Sequence, residues 1–172
     1  MRASLSFAVI GASLVLGACT QQAPASDPMG PMPVVAALYD YGPLPTAQED
    51  LENYFTTELA AAIAANAASA GPERIDFDYR SWAMDSEVDN IRYRVGVHSD
   101  ATEAEISTAF TYPGVGGGMD LTWDMCPRAD GQWRISNITA VPTADETGAG
   151  GGDPVSIRPM VGLAEIPPEE CV

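Results

Sequence analysis

The chain has 172 residues and a formal net charge of -16 at pH 7, with 24 acidic side chains against 8 basic ones. This length is sufficient for one domain with a hydrophobic core. The acidic surface would repel phosphate backbones and anionic headgroups, which argues against nucleic-acid binding and against adhesion through a basic patch. The charge indicates a solvated surface, and a cationic partner or Ca²⁺ is the alternative interpretation.

Residues 1–18 have the pattern of a secretory leader, because Arg2 precedes an apolar run that ends in small residues. The run is shorter than the roughly 20 residues that a transmembrane helix requires. The stretch LGAC at 16–19 resembles the lipobox of bacterial lipoproteins. This resemblance implies that the leader is removed and that acyl chains on Cys19 anchor the protein to a membrane. The alternative is an ordinary leader with an incidental cysteine.

The residues after Cys19 indicate where such an anchor would place the protein. Thr20 stands where an aspartate favours inner-membrane retention in enterobacterial lipoproteins, so the outer membrane of the bacterial envelope is favoured, with the domain facing the periplasm. Residues 19–33 are rich in Pro, Ala, Gln and Ser, which is typical of a flexible tether.

Two helices are predicted at the start of the domain, which we place at 34–141. A short one begins after Pro33 and ends at Gly42. A long one begins at Thr46, where the spacing to Glu49 matches a capping box, and continues to Gly71. Its apolar residues recur at spacings of three and four and form one core-facing stripe, namely Leu51, Tyr54, Phe55, Leu59, Ala62 and Ile63.

The second half of the domain has the alternation of β-strands. Four strands are predicted within 91–97, 105–112, 119–126 and 132–139, and Ile138 falls out of phase with Ile135, which indicates a bend. Their short connections favour an antiparallel meander. The expected fold class is α+β, with the long helix on the apolar face of a curved antiparallel sheet of about four strands. Residues 142–172 are predicted as a Gly-rich linker and tail, with an edge strand at 155–157.

Cys126 and Cys171 remain once Cys19 is assigned to the anchor. In an oxidising compartment we expect them to form a disulfide. Closing a loop of about 45 residues would stabilise the fold by roughly 4 kcal/mol in the chain-entropy model. The alternative is a buried Cys126 with a free Cys171 near a frayed terminus.

No motif for a nucleophile, a metal or a phosphate-binding loop occurs, so we expect no catalytic constellation, no metal and no cofactor. The candidate site is the segment RIDFDYRSWAMDSEVD at 74–89. Carboxylates among aromatic residues can act as general bases or hydrogen-bond a ligand. Alternatively, Phe77 and Trp82 plug the sheet while the acids cap turns. The candidate residues are Asp76, Asp78, Trp82, Asp85 and, on the first strand, Tyr93.

The order of long helix, DFD loop and four strands ending in GQWRISNI resembles a family of bacterial envelope proteins built around a domain of unknown function. Asp76, Phe77 and Asp78 match its first motif, and Asp85 matches the last acid of the second. The residues that match its final strand are Gly131, Trp133, Arg134, Ile135 and Ile138. The resemblance implies a ketosteroid-isomerase-like or cystatin-like cone, in which a curved sheet wraps a long helix. The chain departs from the family at Tyr79, where a proline is usual.

The function expected from these features is that of a non-catalytic, lipid-anchored envelope protein, a binding or interaction module for an envelope protein or a small ligand. One alternative is an isomerase-like or hydrolase-like enzyme. Asp78 or Asp85 would then act with Tyr93, as the aspartate base and tyrosine donor do in ketosteroid isomerase, a known case. That alternative requires an acid and a tyrosine to converge in one closed pocket. The other alternative is a structural or assembly accessory of the envelope.

Overall fold

The computed structural model describes residues 30–84, 88–97, 103–112, 117–144 and 151–165. The predicted leader, Cys19, Asp85 and Cys171 lie outside these residues. The helices are α1 (Pro31–Asp40), α2 (Gln48–Leu51), α3 (Thr57–Ala68) and α4 (Ile157–Met160). The strands are β1 (Asp89–Val97), β2 (Ala104–Thr111), β3 (Gly118–Pro127), β4 (Trp133–Thr143) and β5 (Val155–Ser156).

The five strands form one antiparallel sheet in chain order, which confirms the α+β class and the predicted meander. The edge strand expected near 155–157 is β5, so the sheet has one strand more than the four of the main pattern. Alternate residues on one face of the sheet are buried against α1, α2 and α3 and make up the core. The largest of them are Ile106, Phe110, Leu121, Trp123, Met125 and Ile138.

A β-bulge in β4 confirms the bend predicted near Ile138. Asp124 pairs with Asn137 whereas the next residue of β3, Met125, pairs with Ile135, so Ser136 is the extra residue. Ile135 and Ile138 are both fully buried although they differ in parity. The bulge therefore shifts the phase of the strand and lets both isoleucines face the core.

The single long helix predicted from Thr46 is wrong, because the chain leaves the helix after α2 and starts again at α3. The intervening backbone bonds to β4 instead. The Ile135 N–H donates to the Tyr54 carbonyl at 2.8 Å, and the Thr56 N–H donates to the Ile135 carbonyl at 2.9 Å. Phe55, between these two, is 1% exposed. The sheet thus takes up backbone groups that a continuous helix would use within itself.

The predicted capping box is also wrong, since α2 begins after Ala47 and has no side-chain cap. The side-chain cap lies one helix further on. The Thr56 hydroxyl accepts from the Leu59 N–H at 3.4 Å and so caps α3. Threonine accepts this bond well because its side-chain oxygen replaces a missing intrahelical acceptor.

The C-terminal segment folds onto β4 and adds to the core beyond residue 141. Ile157 is fully buried, and Arg158 is 3% exposed. The Arg158 guanidinium donates to the Ser136 carbonyl at 3.2 Å and to Glu58 of α3 at 3.0 Å. β5 and the segment 54–56 together cover the edge of β4 that faces away from β3. None of the helices in the described ranges is long and apolar enough to cross a membrane.

The different positions of Thr56, which caps α3, and Thr46, which caps no helix, predict different effects of replacing them on the free energy of unfolding. We expect Thr56→Ala to lower the free energy of unfolding by about 1 kcal/mol, because the Leu59 N–H loses its acceptor. Thr46→Ala, the matched control, should change it by less than about 0.5 kcal/mol. Urea denaturation followed by tryptophan fluorescence measures both. A larger loss from Thr46→Ala would mean that the helix does begin at the predicted position.

Candidate functional site

Within the predicted site segment, residues 76–84 form a tight loop, which we call the aspartate loop. Its ends are joined where the Asp78 N–H donates to the Ala83 carbonyl at 2.9 Å, and the Trp82 N–H returns to the Asp78 carbonyl at 2.6 Å. Trp82 has φ of +57°. A bulky residue seldom adopts this left-handed conformation, and it persists only where surrounding contacts hold it.

A buried ion pair between Asp78 and Arg80 lies at the centre of the loop. The carboxylate accepts from the Arg80 guanidinium, with Nη2 at 2.7 Å and Nε at 3.0 Å, and from the Arg80 backbone N–H at 2.8 Å. Asp78 is 7% exposed and Arg80 8%. Burial by itself lowers the pKa of Arg80, but the hydrogen bonds and charge of Asp78 outweigh it, so the pKa is raised. The two side chains are therefore held together by a bidentate contact.

The same guanidinium attaches the loop to α1. Arg80 Nη1 donates to the Leu38 carbonyl at 3.2 Å and to the Gly42 carbonyl at 3.0 Å. These carbonyls lie at the C-terminal end of α1, where backbone acceptors lack intrahelical donors and the helix dipole favours a cation. The positive charge thus satisfies the loop and the helix end together.

Three tyrosines fix the backbone of this region through their hydroxyl groups. Tyr39 donates to the Arg80 carbonyl at 2.6 Å, Tyr112 to the Ser81 carbonyl at 2.6 Å, and Tyr79 to the Pro45 carbonyl at 3.0 Å. Burial raises the pKa of Tyr39 and of Tyr79 well above the ordinary value. Both phenols therefore remain neutral donors at physiological pH, and α1, the loop and β2 form one connected unit.

Two grooves flank the ion pair. The loop groove, with a volume of about 400 Å³, lies beside α3 and is lined by Asn66, Arg74, Asp76, Phe77 and Met84 among others. The strand groove, of about 500 Å³, lies between α1 and β1 and is lined by Tyr39, Asp40, Val88, Ile91 and Tyr93. Asp78 and Arg80 line both. The ion pair is thus a shared wall between two open grooves.

The predicted site residues are divided between these surroundings. Asp76 is exposed in the loop groove, Asp78 is buried in the ion pair, and Tyr93 is 38% exposed in the strand groove. Trp82 packs on Phe77 with ring centroids 4.9 Å apart, and both rings contact the core. Asp85 lies outside the described residues.

The pairing of an acid with a tyrosine, which the enzyme alternative requires, is only partly met. Asp78 and Tyr93 line the same groove, but that groove is open and the Asp78 carboxylate is bound by Arg80. A general base needs a lone pair within reach of a substrate proton. Here the accepting oxygens of Asp78 are directed to arginine.

The residue that sequence reasoning missed is Arg80. Arginine is usually a surface residue, and nothing in the local pattern reveals that this one is buried. The signal available was its position two residues after Asp78, in a chain with 8 basic residues and 24 acidic ones. Tyr39 and Tyr112 were missed because they approach the loop from distant parts of the chain.

The remaining sequence predictions find no test here. Cys126 is buried in β3, but Cys171 is not among the described residues, so their disulfide stays a prediction. No cluster of three or more His, Cys, Asp or Glu side chains that could hold a metal occurs within the described ranges. Comparison of the chain with protein-family models, curated proteins and solved structures found no match. The resemblance to the envelope family also stays a prediction.

Asp78→Ala should be strongly destabilising, because it leaves the Arg80 charge buried without its carboxylate. We expect a loss of about 3–5 kcal/mol in the free energy of unfolding. Asp76→Ala, two residues away and exposed, should change it by less than about 0.5 kcal/mol. Urea denaturation measures both variants. Equal effects at the two positions would contradict a structural role for the ion pair.

Proposed function

We propose that this chain is a lipid-anchored protein of the bacterial envelope whose α+β domain faces the periplasm as a non-catalytic binding module. The lipobox-like stretch at 16–19 and the polar tether after it support the anchor. Acyl chains on Cys19 would hold the protein at a membrane, with the outer membrane favoured. The acidic domain would then stand off the lipid surface on residues 19–33.

The observation that carries the binding role is the aspartate loop, held in place while it presents apolar groups to solvent. Met84 is 76% exposed at the rim of the loop groove, next to Phe77. The ion pair and the tyrosine bonds fix the backbone beneath them. A preorganised surface loses little conformational entropy on binding, and methionine and aromatic side chains adapt well to apolar partners.

A binding role is favoured over catalysis because neither Asp76 nor Asp78 has the arrangement that proton transfer requires. The Asp78 carboxylate is bound by the Arg80 guanidinium, and Asp76 is exposed to water. A role as an assembly accessory uses the same surface with a protein occupant, so the nature of the occupant distinguishes the two. The loop groove would hold either a small apolar ligand or an apolar side chain of an envelope protein.

We further propose that the sheet curves around the helices as a cone, in line with the family resemblance. The bulge at Ser136 supports this, because a bulge bends its strand and increases the twist. The element at the centre differs from the expected one, since α2 and α3 replace one long helix.

Intact-mass analysis of the protein purified from bacterial membranes tests the anchor. We expect a mass that fits removal of residues 1–18 and acylation of Cys19, with Cys126 and Cys171 protected from alkylation until a reductant is added. Cys19→Ser should leave the membrane fraction, whereas Cys126→Ser should remain in it. An unacylated Cys19 would contradict the anchor, and alkylation of Cys126 and Cys171 without a reductant would contradict the disulfide.

Photo-crosslinking tests the binding surface. With p-benzoylphenylalanine in place of Met84, we expect irradiation of intact cells to give a discrete adduct at that residue, read by mass spectrometry. The same group in place of exposed Ala129, in the turn between β3 and β4, is the matched control and should give none. An adduct of protein mass favours the accessory role, and one of small mass favours a ligand. Equal labelling at both positions would count against the loop as the binding surface.

A further inference from the structure

The two edges of the sheet differ in how far other segments of the chain cover them. The outer edge of β4 is covered by β5 and by the segment 54–56. β1 is the terminal strand at the other side, and among the described residues it pairs with β2 alone. Within 92–97, where β1 pairs regularly with β2, alternate N–H and C=O groups therefore face away from the sheet. An uncovered edge of this length is a template for another strand.

Side chains on both faces of β1 are also accessible. Tyr93 is 38% exposed and Val95 is 42% exposed, and Arg92 and Arg94 are exposed as well. The ion pairs within the described residues are Arg80–Asp78 and Arg158–Glu58, so neither arginine of β1 has one there. In a chain with 8 basic residues against 24 acidic ones, two cations without an ion pair among the described residues, at alternate positions of one edge strand, are a concentrated local charge.

The register of β1 assigns these side chains to opposite faces. Tyr93 lies opposite Thr108 and Val95 opposite Ile106, which are both buried on the core face. Arg92 and Arg94 therefore project from the outer face. Tyr93 also borders the strand groove, together with Val88 and Ile91. A strand added beside β1 would meet cations on one face and apolar groups on the other.

We propose that the open edge of β1 is a docking site for an extended segment of a partner protein in which acidic and apolar residues alternate. The acids would lie beside Arg92 and Arg94, and the apolar side chains would extend over Tyr93 and Val95 into the strand groove. Backbone bonds to the edge supply affinity, and the alternating side chains supply specificity. The inference rests on the proposed binding role but uses the edge of β1 and the strand groove instead of the loop groove at Met84.

A second copy of this chain fits the edge less well. Antiparallel pairing of β1 with itself in the register centred on Tyr93 would bring Arg92 and Arg94 against the same two residues of the other copy, and like charges opposite each other are destabilising. Two chains of net charge -16 also repel at longer range. At about 0.15 M salt the long-range repulsion is screened beyond about 8 Å, whereas charged side chains on adjacent strands are closer than this and are screened less.

The test uses the full chain purified in detergent and a capped, fluorescein-labelled hexapeptide of alternating glutamate and valine. We expect fluorescence anisotropy to show saturable binding that is at least about tenfold tighter than for the lysine–valine peptide. Hydrogen exchange of residues 88–97 should slow when the glutamate–valine peptide is added. Arg92→Glu/Arg94→Glu should reverse the preference between the peptides, with the tryptophan fluorescence of the folded protein unchanged.

Matched variants separate this site from general charge effects and from the loop. Arg128→Glu, an exposed arginine outside β1, should leave the peptide affinity within about twofold, and so should Met84→Ala. Absence of binding to folded wild-type protein would overturn the proposal, as would undiminished binding by the β1 variant. Slowed exchange in β1 that depends on protein concentration without peptide would assign the edge to a second copy and overturn it too. In none of these cases would the crosslinking test at Met84 be affected.

Discussion

The buried pair of Asp78 and Arg80 is the interaction that joins the aspartate loop to the C-terminal end of α1. Removing two charges from water is costly, and Coulomb attraction offsets that cost only where the geometry is close and the remaining donors are satisfied. Both conditions are met, since Asp78 takes two guanidinium nitrogens and Leu38 and Gly42 accept from a third. Without the pair, the end of α1 and the aspartate loop would both have unsatisfied polar groups.

Two other buried arginines, Arg134 and Arg158, also donate hydrogen bonds to backbone carbonyls at irregular points of the backbone. Arg134 Nε donates to the Glu52 carbonyl at 3.0 Å where the helical segment is interrupted, and burial lowers the pKa of Arg134. Arg158 Nε donates to the Ala164 carbonyl at 2.9 Å, while its Nη1 reaches the β4 bulge. A guanidinium suits these positions because its rigid fork carries five donors, whereas lysine offers a single ammonium group. Arginine thus stabilises the backbone at the end of α1, after α2 and at the β4 bulge.

These fixed points shape the surfaces that are free to bind. The ion pair lines both the loop groove and the strand groove, so the two grooves share one rigid wall. Arg92 and Arg94 on β1 are exposed, whereas the three buried arginines form hydrogen bonds within the domain. Accordingly, the apolar rim at Met84 and the edge of β1 are two separate surfaces with different chemistry.

The sequence by itself determined the antiparallel meander, the phase change near Ile138 and the edge strand at 155–156, because alternation of side chains is a local property of a strand. Tertiary structure decided the rest. The helix from Thr46 is interrupted because Ile135, far along the chain, takes the backbone groups of Tyr54 and Thr56. The role of Asp78 depended on a guanidinium whose other acceptors come from α1, a contact between segments about 40 residues apart that local pattern cannot show.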